Sequence, residues 1–287
     1  MTTSLDRIDA HHHFWDPARH HYPWMEGEAL DPVRRPFGPD DPRPELERAG
    51  VAGTVLVQTV ADLAETREFL ATAAATEYVR GVVGWVDLRS PAVGDDLDAL
   101  LDGDTGRWLV GIRHQVHDEP DPEWLCHDDV RRGLAAVQAR GLTYDLLVRA
   151  RELPAAVRAV AAFPELRFVV DHMAKPRIVD GADEPWKQHM PMLAAHPNVD
   201  VKLSGILTEA DWRSWTADDL RPFVRAVVEW FGIGRAMFGS DWPVCLLAAA
   251  SYAEMAAGLA NALGALSPSE EALVYHDNAV RAYGLRA

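Results

Sequence analysis

The sequence predicts an α/β protein built as a (β/α)8 TIM barrel, and three observations predict it. Eight short Val/Ile/Leu-rich runs recur along the 287 residues at a mean spacing of about 33, the length a strand, a crossover helix and two loops need. The runs lack clean polar–apolar alternation, as expected of parallel strands covered on both faces. Polar residues with chemical potential stand at the carboxyl end of nearly every run, where a barrel gathers its site.

Taken in order, the predicted strands are Ile8–Ala10, Thr54–Val57, Gly81–Val86, Leu109–Arg113, Thr143–Val148, Arg167–Val170, Val199–Leu203 and Ala236–Gly239. Helical patterns fill the gaps. Asp62 opens one that runs through Leu70. Thr216, with Asp219 three residues on, opens another, in which Leu220, Phe223, Val224, Val227 and Phe231 recur at helical spacing until Gly232 stops it. Ser267-Pro268-Ser269-Glu270 has the form of a capping box with proline at the first helical position. An open doubly wound sheet would call for a Gly-x-Gly-x-x-Gly turn after the first strand, and none is there. The longest irregular stretch, Phe14–Pro44, holds seven of the 19 prolines together with Trp15 and Trp24. A long loop leaving strand one is a candidate lid or binding loop. No linker or low-complexity segment divides the chain, so residues 1–287 are expected to form one domain.

Composition narrows the function classes. Lys and Arg number 28 against 44 Asp and Glu, a net charge of −16 with no basic run, which disfavours a nucleic-acid partner. The two cysteines lie far apart and outside any Cys-x-x-Cys motif, the start lacks a signal-like apolar stretch, and no apolar run reaches the roughly 20 residues of a membrane span. The expectation is a cytoplasmic protein with a small-molecule substrate, no membrane and no signal for an oligomeric state.

The strand ends supply the candidate site. Strand one ends in Asp9-Ala10-His11-His12-His13, strand two in Gln58, and strand three in Asp87. Strand four gives Arg113-His114-Gln115, strand five Tyr144 or Asp145, strand six Asp171-His172, strand seven Lys202 and Ser204, and strand eight Asp241-Trp242. His11 and His13, two apart on an extended chain, face one side and could together hold a metal or polarise a substrate oxygen, whereas His12 points away. A purification tag would also give consecutive histidines, but not a preceding strand and a following Phe-Trp-Asp. Arg113 could bind a carboxylate or polarise a carbonyl, or simply pair with an acid. Lys202 is open to the same two readings. Trp15, Trp24 and Trp242 could stack on a sugar ring or pack in the core. Cys245 has no base in its motif and is expected to be inert.

Several motifs together resemble one family. Asp-Ala-His-His-His-Phe-Trp at 9–15, Gly111-Ile112-Arg113-His114, Asp171-His172-Met173-Ala174-Lys175-Pro176, Val201-Lys202-Leu203-Ser204-Gly205 and Phe238-Gly239-Ser240-Asp241-Trp242-Pro243 are similar to those of the amidohydrolase superfamily. The branch resembled is the amidohydrolase-2 type, with its sugar lactonases nearest and 2-pyrone-4,6-dicarboxylate lactonase also similar. The resemblance implies a metal-dependent-hydrolase-like barrel. It also implies that His11 and His13 match the family's His-x-His, His172 its later histidine and Asp241 its strand-eight aspartate. The chain departs from metal-dependent members in having no histidine on strand five, so no metal is expected to be essential, and His11, His13 and Asp241 are the set that could hold a single Zn²⁺.

The resulting expectation is a hydrolase acting on a carboxylic ester bond, a lactonase of carbohydrate catabolism that opens a sugar lactone such as L-fucono- or L-rhamnonolactone. Asp241, His172, Arg113, His11 and His13 are its candidate catalytic residues. Trp15, Trp24, Gln58, His114, Tyr144, Lys202 and Trp242 are its candidate substrate-binding residues. Two rivals stand beside it: a metal-dependent decarboxylase of an unsaturated or aromatic acid, which chelation would silence, and a barrel that binds a sugar acid without turnover.

Overall fold

A computed structural model describes residues 6–181 and 184–286. All eight predicted strands form: β1 Arg7–His12, β2 Val51–Val57, β3 Val79–Gly84, β4 Leu109–His114, β5 Thr143–Leu146, β6 Phe168–Val170, β7 Val199–Leu203 and β8 Ala236–Phe238. They pair in parallel in sequence order. The barrel closes where residues after β8 meet β1: Asp241 N–H donates to His11 O (2.8 Å), and His13 N–H donates to Trp242 O (2.7 Å). Closure and candidate site therefore share the same few residues.

Helices cover the outside: α1 Arg43–Ala49, α2 Leu63–Ala75, α3 Val93–Leu101, α4 Asp128–Ala139, α5 Leu153–Ala162, α6 Glu184–Ala194, α7 Ala217–Phe231, α8 Tyr252–Leu263, α9 Pro268–Ala272 and α10 Asn278–Tyr283. The predicted caps are in place. Thr216 and Asp219 form a capping box at α7, as do Ser267 and Glu270 at α9. The Asp62 side chain accepts from Ala64 N–H at the start of α2, which runs five residues beyond Leu70. Apolar strand residues divide by parity: Ile112, Leu146, Phe168, Val170, Val201 and Leu203 pack under the helices. Ile8, Ala10, Val55, Val57, Val83, Val169 and Met237 fill the lower barrel, where Ala282, Tyr283 and Leu285 from α10 and the residues after it plug the amino-terminal end. None of the described helices is long and apolar enough to cross a membrane.

The 14–44 stretch is folded rather than irregular. It contains two short 3-10 turns, Pro23–Met25 and Glu28–Val33, and the start of α1. Phe14, Trp15, Tyr22, Met25, Val33 and Phe37 are buried, so this segment joins the main hydrophobic core.

Candidate active site

Local backbone geometry brings the site together. The pairing of β1 with β2 shifts register between Asp9 and His12. Such a bulge re-aims side chains: Ala10 packs in the barrel interior, and the next residue, His11, also points inward, toward Lys202 and Arg113. His13 follows on the same side and His12 is turned out, edge-on to Phe14. Asp9 anchors the bulge. One carboxyl oxygen accepts from Ser240 N–H (2.8 Å) and His11 N–H (3.1 Å), and the other accepts from Tyr252 O–H (3.0 Å). Burial nonetheless pushes this carboxyl up to about 6.

Two more irregular turns finish the arrangement. Residues His172, Met173, Ala174 and Lys175 after β6 all have positive φ, between 50° and 58°, although none is glycine. Asp241 after β8 is also left-handed, at φ 57°. Side chains with a Cβ resist this region, and it concentrates at functional sites.

Three imidazoles converge on one carboxylate oxygen. Asp241 Oδ1 lies 3.3 Å from His13 Nε2, 3.7 Å from His172 Nε2 and 3.8 Å from His11 Nε2. His11 and His13 meet at Nε2···Nε2, 3.1 Å. His13 Nδ1 faces Val57 O at 2.8 Å, which assigns its proton to Nδ1 and leaves Nε2 a lone pair. His172 Nδ1 is 2.9 Å from Ser204 Oγ. Burial drives all three histidines below 6.5, His172 to about 4. Burial pushes the Asp241 carboxyl up, but His172 and His13 outweigh it and hold the group below the usual carboxylate value.

Beneath lies a buried charge layer. Lys202 Nζ sits 2.6 Å from Asp145 Oδ2, 2.9 Å from Asp171 Oδ1 and 3.1 Å from His11 Nδ1. Tyr283 O–H donates to the other side of Asp145. Arg113 donates from Nη1 to Asp171 Oδ2 (3.0 Å) and from Nε to Gln58 Oε1 (3.0 Å), and its Nη1 is 3.3 Å from His11 Nε2. Burial raises the Asp171 carboxyl, but Lys202, His11 and Arg113 together depress it well below the ordinary range.

Above this floor opens a cavity of about 120 Å³ lined by His13, Trp24, Thr59, Arg113, Gln115, His117, Leu147, His172, Lys175, Asp241 and Val244. A larger groove, about 610 Å³, lies on the outer side of the 14–44 segment, lined by residues of that segment alone and away from the acid–imidazole cluster.

Of the residues expected at the site, Arg113, His13, His172, Asp241 and Trp24 line this cavity, and His11 lies directly behind His13. Gln58 is buried under Arg113 and orients it. Lys202 is fully buried one layer down. The others do not line this cavity. Trp15 is held in the loop core, its indole N–H on Val33 O and its ring edge-on to Trp24 and Phe37. Trp242 packs edge-on to Phe14 and Phe37. Tyr144 faces outward against Phe168, because its neighbour Asp145 takes the inward position. His114 stacks on Trp124 with ring centroids 4.2 Å apart and is fixed by Trp85 and Glu119. Asp87 is exposed. Thr59, His117, Leu147, Lys175 and Val244 were not singled out as site residues. Each lies one to six residues beyond its strand end, and that position on the βα-loops was the available signal.

The cluster fits a divalent ion. The ligand atoms of His11, His172 and Asp241 lie within 4.8 Å of one another, and His13 Nε2, with its lone pair free, touches two of the three. The set is thus wider than the expected His11, His13 and Asp241, because the left-handed turn after β6 brings His172 into it.

Comparison with known proteins agrees with this geometry. The Amidohydrolase family model matches residues 8–285, and the chain belongs to that family. It is 44% identical over 244 residues to an L-fucono-1,5-lactonase of Burkholderia ambifaria, covering 84% of this chain and 82% of the relative. To an L-fucono-1,5-lactonase of Burkholderia multivorans it is 38% identical, covering 97% and 96%. A crystal structure of an amidohydrolase from Burkholderia multivorans with bound zinc superposes at a TM-score of 0.89, with 38% identity and 98% and 99% coverage.

Proposed function

We propose that this member of the amidohydrolase family is a hydrolase that opens the ring of a sugar lactone, with Asp241 as general base on the attacking water. The observation that carries the catalytic reading is the convergence of three imidazoles on one carboxylate oxygen, beside a guanidinium, at the floor of a cavity. The substrate class draws on the L-fucono-1,5-lactonases it resembles over most of its length.

The residues divide the work as follows. Asp241 takes a proton as the water oxygen bonds to the lactone carbonyl carbon. Arg113, immobilised by Gln58 and Asp171, meets the negative charge that develops on the carbonyl oxygen. His172, held by Ser204, orients the water. When the tetrahedral intermediate collapses, the bond from carbonyl carbon to ring oxygen breaks, and protonated Asp241 returns its proton to that oxygen. The product hydroxy acid then ionises. A carboxylate held below its normal value is a weak base, and it suffices because a lactone is an activated ester. Should a divalent metal be bound, His11, His13, His172 and Asp241 would hold it, and it would supply Lewis-acid polarisation of the carbonyl. We infer that it is not essential, since Arg113 and Lys202 already place two cations against His11.

The test is acid release, followed with a pH indicator, across five- and six-membered aldonolactones that include L-fucono-1,5-lactone, with wild type and Asp241→Asn. The expected result is turnover of a sugar lactone and a loss of about 10²–10⁴-fold in kcat for the variant. Binding without turnover across the panel would favour the passive barrel. Retained kcat with lowered thermal stability would make Asp241 structural and sink the assignment.

A further inference from the structure

The lining of the cavity includes a polar pair that the hydrolysis described above does not use. We propose that Lys175 and His117 together recognise a ring hydroxyl, and so make the site select polyhydroxylated lactones over bare ones. The proposal rests on the sugar-lactonase reading.

A hydroxyl is donor and acceptor at once, so the side chains that hold it best offer one of each. Lys175 supplies the donor. Its ammonium carries three N–H groups, and the ion pair with Glu209 Oε1, at 2.6 Å, engages one. Glu209 is itself steadied on its other oxygen by Arg149 Nη1 at 3.2 Å, so the ammonium is anchored rather than free to swing. His117 supplies the acceptor. Its Nε2 lies 3.3 Å from Asp118 Oδ1, and the tautomer that uses this contact carries the ring proton on Nε2. Nδ1 is then a lone pair, and it is buried without a hydrogen-bond partner among the described residues. A buried acceptor left unmet is costly and calls for a donor from outside the chain.

The two groups act at one place. Both line the same cavity. After burial, the Lys175 charge is the largest influence keeping His117 neutral, at about 3. The left-handed turn that presents His172 to Asp241 continues through Lys175, so a single strained segment places both an element of the reaction centre and the donor of this pair. The same cavity is also lined by Leu147, Val244 and Trp24, whose indole N–H is already taken by Thr59 O at 2.9 Å. A lactone that carries hydroxyls together with C–H surface or a methyl group meets both kinds of lining.

The experiment compares kcat/KM for a hydroxylated six-membered aldonolactone with that for δ-valerolactone, the same ring without hydroxyls. It uses wild type, Lys175→Met and His117→Phe, each checked for folding by circular dichroism. Lys175→Met leaves Glu209 paired with Arg149, so the fold retains its local charge balance. The expected result is a ratio that falls about 10–100-fold in each variant, the range for losing a charged or buried hydrogen bond. An equal fall on both lactones, or no change in the ratio, overturns the proposal. Failure of the underlying reading shows separately, in the wild type: a preference for δ-valerolactone over every sugar lactone refutes the sugar-lactonase assignment and this proposal with it.

Discussion

Gly205, the first residue after Ser204 at the end of β7, is where a single added carbon should do most harm to the site. Its φ is +60°, and a Cβ built there would lie 2.6 Å from Cγ and 3.0 Å from Cβ of His172, and closer still to Nδ1. Ordinary contact begins near 3.4 Å, so in Gly205→Ala the imidazole must retreat by on the order of 1 Å. Two costs follow for stability: about 1–2 kcal/mol for a left-handed alanine, and about 1 kcal/mol if the His172–Ser204 hydrogen bond is lost. For a chain of this size that corresponds to a Tm lowered by roughly 3–5 °C. The catalytic cost is separate, because a displacement of this size at a reacting centre typically lowers the rate by about 10²-fold. Gly50 provides the control: it is also left-handed, at φ +68°, but a Cβ there meets nothing within 4 Å. Gly50→Ala should therefore lose only the strain, about 1 kcal/mol, and keep full activity. Thermal melts with kcat on a sugar lactone, for both variants, complete the test. A Gly205→Ala enzyme that melts low yet turns over at the wild-type rate would refute the claim that the position of His172 matters to the chemistry.

Three further outcomes are expected. Activity should survive exhaustive chelation, measured alongside metal content by elemental analysis; loss restored by Zn²⁺ or Mn²⁺ would overturn that. The pH profile of kcat/KM should be flat from about pH 6 to 8 and fall only on the acid side, as His172, lowered by burial to about 4, takes up a proton; an inflection near 6.5 would show that the histidine in control is not desolvated. Lys202→Met should destabilise by about 3–5 kcal/mol in thermal or denaturant unfolding, since it strands Asp145 and Asp171 in the barrel interior, and Asp145→Asn in the same chain should recover part of the loss. A stable single variant would mean that water already screens that layer.

The barrel was legible because its signals are local and repeated. Each strand is a short apolar run, each cap of α7 and α9 is a four-residue pattern, and eight repeats of one unit leave few ways to close a sheet. The 14–44 segment was not legible. Its prolines mark turns, but the burial of Trp15, Tyr22, Met25, Val33 and Phe37 together is a tertiary fact with no period in the sequence. Its last residues also belong to α1, because Pro42 and Pro44 sit at the helix start, where a missing N–H costs nothing.

The site was legible to the level of strand ends and no further, because chemistry in a barrel depends on depth along the axis as well as on facing inward. Lys202 and Arg113 are both inward, yet Lys202 is sealed between Asp145 and Asp171 while Arg113 reaches the cavity. Tyr144 and Asp145 are adjacent, and parity gives the interior to Asp145 alone. Simple alternation would place Ala10 and His11 on opposite faces, and with Ala10 packed in the lower barrel it would turn His11 out toward the helices. The register shift between Asp9 and His12 is what lets both face inward, and Asp9, through Ser240 and Tyr252, holds the bulge against β8 and α8. The histidine pair thus owes its orientation to an aspartate that touches neither cavity nor substrate.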